Sequence, residues 1–273
     1  MKLKAGAPMA EKKPSVIKTA AIAWRDAFRA IEVMPVVAGI AFVLYLVMSL
    51  AISAINGNPF ALVGSPWLPI ISIGASIVQA VLLAPLAIAV HRFVLLGEET
   101  NRYPLEPKSS RYLRFVGYAI LVNILWLIPN TIESLIPAAR DINPALATGL
   151  GIVAFGLVIT VVIVVVRRAI LFPAIAVDAP GATWAKARLD TKGSSWRVAF
   201  VFVLTALPIL VTNGLLAWLW LSAGPGTQAQ PSAGSFLFFS VIGAVIAIAA
   251  LCAFAAAASH IYRARADIMT RPR

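Results

Sequence analysis

Residues 142–168 read INPALATGLGIVAFGLVITVVIVVVRR, an uncharged run of 25 residues that closes on Arg167 and Arg168. At about 1.5 Å per residue, such a run forms a helix long enough to cross a ~30 Å hydrocarbon core. No water is available there to bond the backbone, so a helix is the form a single span must take. The closing arginine pair then marks one face of a bilayer.

Five further uncharged runs lie around it, at residues 33–55, 67–90, 115–132, 198–221 and 236–259. The run at 115–132 is the shortest, and Arg114 and Glu133 can snorkel from its two ends. Of the 23 lysines and arginines, 22 fall at residues 2–29, 92–114, 167–197 and 263–273, leaving only Arg140 in the intervening turns. Basic patches that alternate with pairs of apolar runs follow the positive-inside rule. The expected fold is therefore all-α: a polytopic membrane protein of six transmembrane helices, arranged as three antiparallel hairpins with both termini cytoplasmic. Residues 1–32 form an N-terminal segment, 33–262 the six-span domain and 263–273 a basic tail.

Composition agrees with this class. Apolar residues make up 60% of the chain and charged residues only 12%, against roughly a quarter charged in soluble domains. A net charge of +12 suits anionic lipid headgroups on the inner face. Nucleic acid is not the expected partner, because spans divide the basic patches and no binding motif is present. Cys252 is the single cysteine and lies inside an apolar run, which excludes an intrachain disulfide. The run at 33–55 is too long for a signal-peptide core and is read as a retained span.

Ser15 followed by residues 16–32 reads as a capped helix. Lys18, Arg25, Asp26, Arg29 and Glu32 share one face, while Ile17, Trp24, Phe28 and Ile31 share the other with Ala20 and Ala27. A basic amphipathic helix of this kind lies at a membrane interface or packs its apolar side on the bundle. Trp24 and Phe28 are its expected anchors. The outer turns are expected at Gly57-Asn58-Pro59, at residues 133–144 with Glu133, Arg140, Asp141 and Pro144, and at Gly224-Pro225-Gly226.

No catalytic constellation is visible. Two histidines, His91 and His260, do not supply a zinc motif, and no nucleophile elbow or Walker loop occurs. No cofactor and no metal are expected. The span interiors contain Gln79, Asn123, Asn130 and Asn213 but no charge; polar groups at such depth line a solute path or bond neighbouring helices. Pro85, Pro129, Pro173 and Pro208 mark kinks. The stripe Ala249, Ala253 and Ala257 permits close helix approach, within the bundle or between copies.

Three returning helices end on basic residues: His91 and Arg92, Arg167 and Arg168, His260 and Arg263. Converged around one centre, these six would hold an acidic headgroup or phosphorylated ligand, since arginine grips phosphate in two-pronged geometry. Set apart, they are snorkelling anchors paired with Glu98, Glu99 or Asp178. Thr183 is placed to cap a short helix that Gly193 ends, with Trp184 and Trp196 at headgroup level and Lys186, Arg188 and Arg197 toward phosphates.

The segment Arg168-Ala-Ile-Leu-Phe-Pro-Ala, then Asp178-Ala-Pro-Gly, then Trp184-Ala-Lys-Ala-Arg-Leu-Asp-Thr-Lys-Gly-Ser-Ser-Trp-Arg197 resembles a group of six-span bacterial membrane proteins. That group includes the membrane domain attached to some glycerophosphodiester phosphodiesterases and related families of unknown function. The resemblance covers about thirty residues and implies a bacterial inner-membrane bundle whose 4–5 connection docks as a short helix. It transfers no functional residue. The expected role is non-enzymatic: binding of anionic lipid or a membrane partner through the basic rim, with a homo-oligomer or another membrane protein as the protein partner. A small-solute permease and an intramembrane lipid-modifying enzyme are the alternatives.

Overall fold

The computed structural model describes residues 15–55, 68–223 and 233–266, which are helices and short connections with no strand among them. The expected outer turns at residues 57–59 and 224–226, and residues 267–273 of the basic tail, lie outside the described residues. In chain order the helices are α1 (Val16–Val33), α2 (Pro35–Ile55), α3 (Leu68–Leu96), α4 (Ser110–Ile142), α5 (Pro144–Val166), α6 (Leu171–Ala176), α7 (Trp184–Asp190), α8 (Ser195–Ala223) and α9 (Ala233–Arg265). Six of them (α2, α3, α4, α5, α8 and α9) are long and apolar enough to cross a membrane. The chain is a multi-pass helical membrane protein.

Local chemistry sets the boundaries. Ser15 accepts the Lys18 backbone N–H at 3.2 Å and starts α1. Pro35 opens α2 immediately after Met34, where its missing N–H costs no helical bond. Thr183 caps α7 by accepting from the Lys186 N–H, and Gly193 takes φ +77° just beyond that helix.

The middle turn differs from expectation. Residues 133–142 continue α4 as helix, so the connection shrinks to Asn143. Asn143 accepts the Ala145 N–H at 2.8 Å, and Pro144 is the first residue of α5. The charges at Glu133, Arg140 and Asp141 end the apolar run without ending the backbone hydrogen bonding. With 33 residues, α4 is roughly 50 Å long and exceeds the hydrocarbon core.

Consecutive spans pack side by side: α2 on α3, α4 on α5 and α8 on α9. Helix α1 lies against α9 and α8. Its buried face is Thr19, Ala20, Ala23, Ala27 and Ala30, opposite an α9 in which Ala253, Ala256 and Ala257 are fully buried. Small residues on both helices allow their backbones to approach closely. The alanine stripe of α9 is thus used inside the bundle.

Side chains bond carbonyls near two of the prolines inside the helices. Pro85 cannot donate to the Val81 carbonyl one turn earlier. The Tyr112 hydroxyl of α4 donates to that carbonyl at 2.7 Å, and Tyr103 donates to the adjacent Leu82 carbonyl. Burial, with Tyr112 nearby, pushes the Tyr103 phenol well above its usual pKa. Near Pro208, the Trp24 indole N–H donates to the Thr205 carbonyl of α8 at 3.1 Å. The Val81 carbonyl that Pro85 leaves free is thus engaged by the protein itself.

Candidate functional site

Between α3, α4, α5, α6, α8 and α9 lies a cavity of about 760 Å³, within the ~300–1,000 Å³ usual for small-molecule sites. It exists because the helix faces around it are small: Ala80, Ala84 and Ala87 on α3, Ala119 on α4, Ala206 on α8 and Ala258 on α9. On α3 it extends from Ser76 to His91, a length of roughly 22 Å along the helix. Leu83, Phe115, Trp126, Phe172 and Phe202 supply its larger apolar surfaces. Among the described residues no Asp, Glu, Lys or Arg lines it.

Three of the polar residues singled out in the sequence do line it: Gln79 and Asn123 in mid-span, and His91 at the basic end. Asn123 donates its side-chain N–H to the Ala119 carbonyl of its own helix at 2.9 Å. Asn213 departs from expectation. It is exposed on α8, outside the cavity, together with its neighbours Thr212 and Gly214. Residues 210–215 are all exposed in succession, so this stretch of α8 turns no side into a core.

The six basic candidates are not gathered by this cavity. His91 is only 2% exposed, and its Nδ1 lies 2.8 Å from the Ser259 hydroxyl of α9. Arg92, the next residue, turns to a different face. Its guanidinium grips Glu98 at 2.6 and 2.7 Å and donates to the Ala176 carbonyl at 3.0 Å. It also lines a smaller hollow of about 290 Å³, shared with Arg111, Glu98, Glu99 and Glu106. Arg111 bonds Asp178, with Nε at 2.8 Å, so acids offset the bases there.

The remaining four have separate partners. Arg167 donates to the Ser195 hydroxyl at 3.1 Å. Arg168 donates to the Val164 carbonyl at 3.1 Å and stacks over Trp184 at 4.1 Å. His260 pairs with Asp26 of α1 at 2.8 Å, and Arg263 donates to the Val94 carbonyl. Neither hollow brings two of the six together. Most of them lock one element to another at the basic end.

The anchor residues also divide. Trp196 is 76% exposed. Trp184 is partly buried, in a T-shaped contact with Tyr118 at 5.5 Å and with Arg168 over its ring face. On α1, Phe28 is 53% exposed and Ile17 72%. Trp24 is partly buried by its bond to α8. The face α1 turns to the bundle is thus the alanine face, rotated from the one that carries Ile17 and Phe28.

The cavity's alanine lining and its aromatic wall were not singled out in the sequence. A usable signal was present on α3, where Ser76, Ala80, Leu83, Ala87 and His91 recur at steps of three and four. Among the described residues no group of three His, Cys, Asp or Glu side chains comes together as a metal site. The fold and cavity define a multi-pass helical bundle with an apolar cavity at span depth. No protein-family model matches the chain, and neither the curated proteins nor the solved structures contain a match.

Proposed function

We propose that this is a non-enzymatic lipid-binding protein of a bacterial inner membrane that accepts the apolar chain of a lipid into the cavity. Both termini are cytoplasmic in this reading, and the basic inner face rests on anionic headgroups. The observation that carries the proposal is the ~760 Å³ apolar cavity at span depth. An empty apolar volume forfeits dispersion contacts along its whole wall. Water needs two to four polar partners to fill such a space, and this lining is overwhelmingly apolar. Bilayer chains are the abundant filler. Val162 of α5 and Val203 of α8 line the cavity and are themselves exposed, so the gap between these two helices is the proposed entry from the bilayer.

The resemblance around residues 168–197 supports the bacterial inner-membrane setting and adds no activity. A small-solute permease is the second reading, favoured by the Gln79 amide in the cavity wall. Uptake of a polar solute by proteoliposomes would favour it.

Lipid retention tests the main reading. Protein purified in a mild detergent and extracted with organic solvent should release stoichiometric chain-bearing lipid. Ala119→Phe combined with Ala206→Phe fills the cavity and should lower the retained amount roughly tenfold, the effect of losing about 1.4 kcal/mol of binding. Equal retention in the folded double variant would overturn the proposal.

A further inference from the structure

His91 breaks the apolar character of the cavity, and it does so at one defined end. The residue is 2% exposed. Its Nδ1 meets the Ser259 hydroxyl at 2.8 Å, and Ser259, itself fully buried, lies 2.9 Å from the Ala255 carbonyl one turn back on α9. A serine hydroxyl has one hydrogen. We place that hydrogen on Ala255, so that the oxygen accepts from His91 and the ring proton sits on Nδ1. Nε2 is then the unprotonated nitrogen, a pure acceptor. The Ala255 carbonyl, an acceptor, also bonds the ring; with the ring proton on Nδ1 both contacts fall on that nitrogen, which leaves Nε2 for the cavity, whose wall the ring forms beside Phe115, with its centroid 5.9 Å away.

Two constraints follow for an occupant. A charged headgroup inside the cavity would have no counter-ion, because no charged side chain lines the wall. An acceptor-only group would leave Nε2 unpaired, at the cost of an unmade buried hydrogen bond. A donor satisfies both. Gln79 lies twelve residues before His91 on the same helix, roughly 18 Å away, which leaves an apolar length for a chain between two polar ends.

Building on the cavity reading, we infer that the cavity selects an uncharged amphiphile bearing a hydroxyl, of the long-chain alcohol or acylglycerol class, and that this hydroxyl donates to His91 Nε2. The chain extends from His91 toward Gln79 along the alanine face of α3. Ser259 acts as a positioning residue: it fixes the tautomer that makes His91 an acceptor.

Competition binding tests this on the full chain in nanodiscs, with tritiated oleyl alcohol as probe and unlabelled oleyl alcohol, oleyl methyl ether and oleate as competitors. The three share a chain and differ only in the head. The alcohol should compete about tenfold better than the ether, the worth of one buried hydrogen bond, and oleate should be no better than the ether. His91→Phe should lose the preference for the alcohol over the ether. Ser259→Ala should shrink that preference with the ether unchanged. Equal competition by alcohol and ether in the wild-type protein, or oleate competing best, would overturn the assignment of His91 without touching the cavity. Failure of the probe to bind at all would instead remove the cavity reading. The wild-type comparison stands even where a variant does not fold.

Discussion

Leucine in place of Ala27 or Ala257 is expected to destabilise the protein by about 1–3 kcal/mol, the usual cost of forcing extra methylenes into a packed interface. Ala27 is 1% exposed on α1 and Ala257 is fully buried on α9, and the two helices pack against each other. Leucine adds a branched side chain where only a methyl group fits. The helices must separate, which weakens the close backbone approach that small residues permit. Loss of α1 docking would also strain the His260–Asp26 pair and the Trp24–Thr205 hydrogen bond. The control is Ala21→Leu, because Ala21 is exposed on the same helix. Thermal unfolding in detergent should show a lowered midpoint for the two buried variants and little change for the control. Equal midpoints for all three would mean that α1 does not pack as described.

The orientation proposed for the bundle gives an all-or-none result. With Cys252 replaced by alanine, single cysteines can be placed by Lys192→Cys, in an exposed position beside α7, and by Ile142→Cys, 80% exposed at the far end of α4. An impermeant maleimide added to intact cells whose outer barrier has been opened should label Ile142→Cys and leave Lys192→Cys unlabelled until the membrane is lysed. Opposite insertion would carry 22 basic residues across the membrane. Labelling of Lys192→Cys alone would reverse the topology and move the basic face outward.

The spans were legible in the sequence because the bilayer imposes a long uncharged run on each helix and charge asymmetry marks its ends. Helix α4 shows where that signal stops. Glu133, Arg140 and Asp141 end the hydropathy run, but an exposed helix carries charged side chains without losing a backbone hydrogen bond, so the helix continues to Ile142. The caps at Ser15 and Thr183 were legible because their chemistry is local.

The site was only partly legible. Gln79 and Asn123 stood out as polar groups at depth, yet Asn213 gave the same signal and lies outside the cavity, in a stretch of α8 that is exposed on every side. Which side a residue faces depends on neighbouring helices that a single strand of sequence does not display. His91 read as one more member of a basic rim because Arg92 follows it. One residue of helical rotation separates the two, sending Arg92 to Glu98 and His91 to Ser259. The cavity itself is a collective property. It arises where the side chains of six helices meet, and no single helix encodes it.

The most direct measurement is photo-crosslinking with an oleyl alcohol that carries a diazirine in mid-chain, followed by mass-spectrometric mapping of the adducts. Adducts are expected on cavity residues such as Leu83, Phe172 and Phe202, and excess unlabelled oleyl alcohol should remove them. Adducts on the outward-facing Phe155 and Leu210, which are 67% and 63% exposed, should persist, because bulk lipid contact does not saturate. Adducts confined to Phe155, Leu210 and similar outer positions, with none inside the cavity, would contradict a chain-binding chamber.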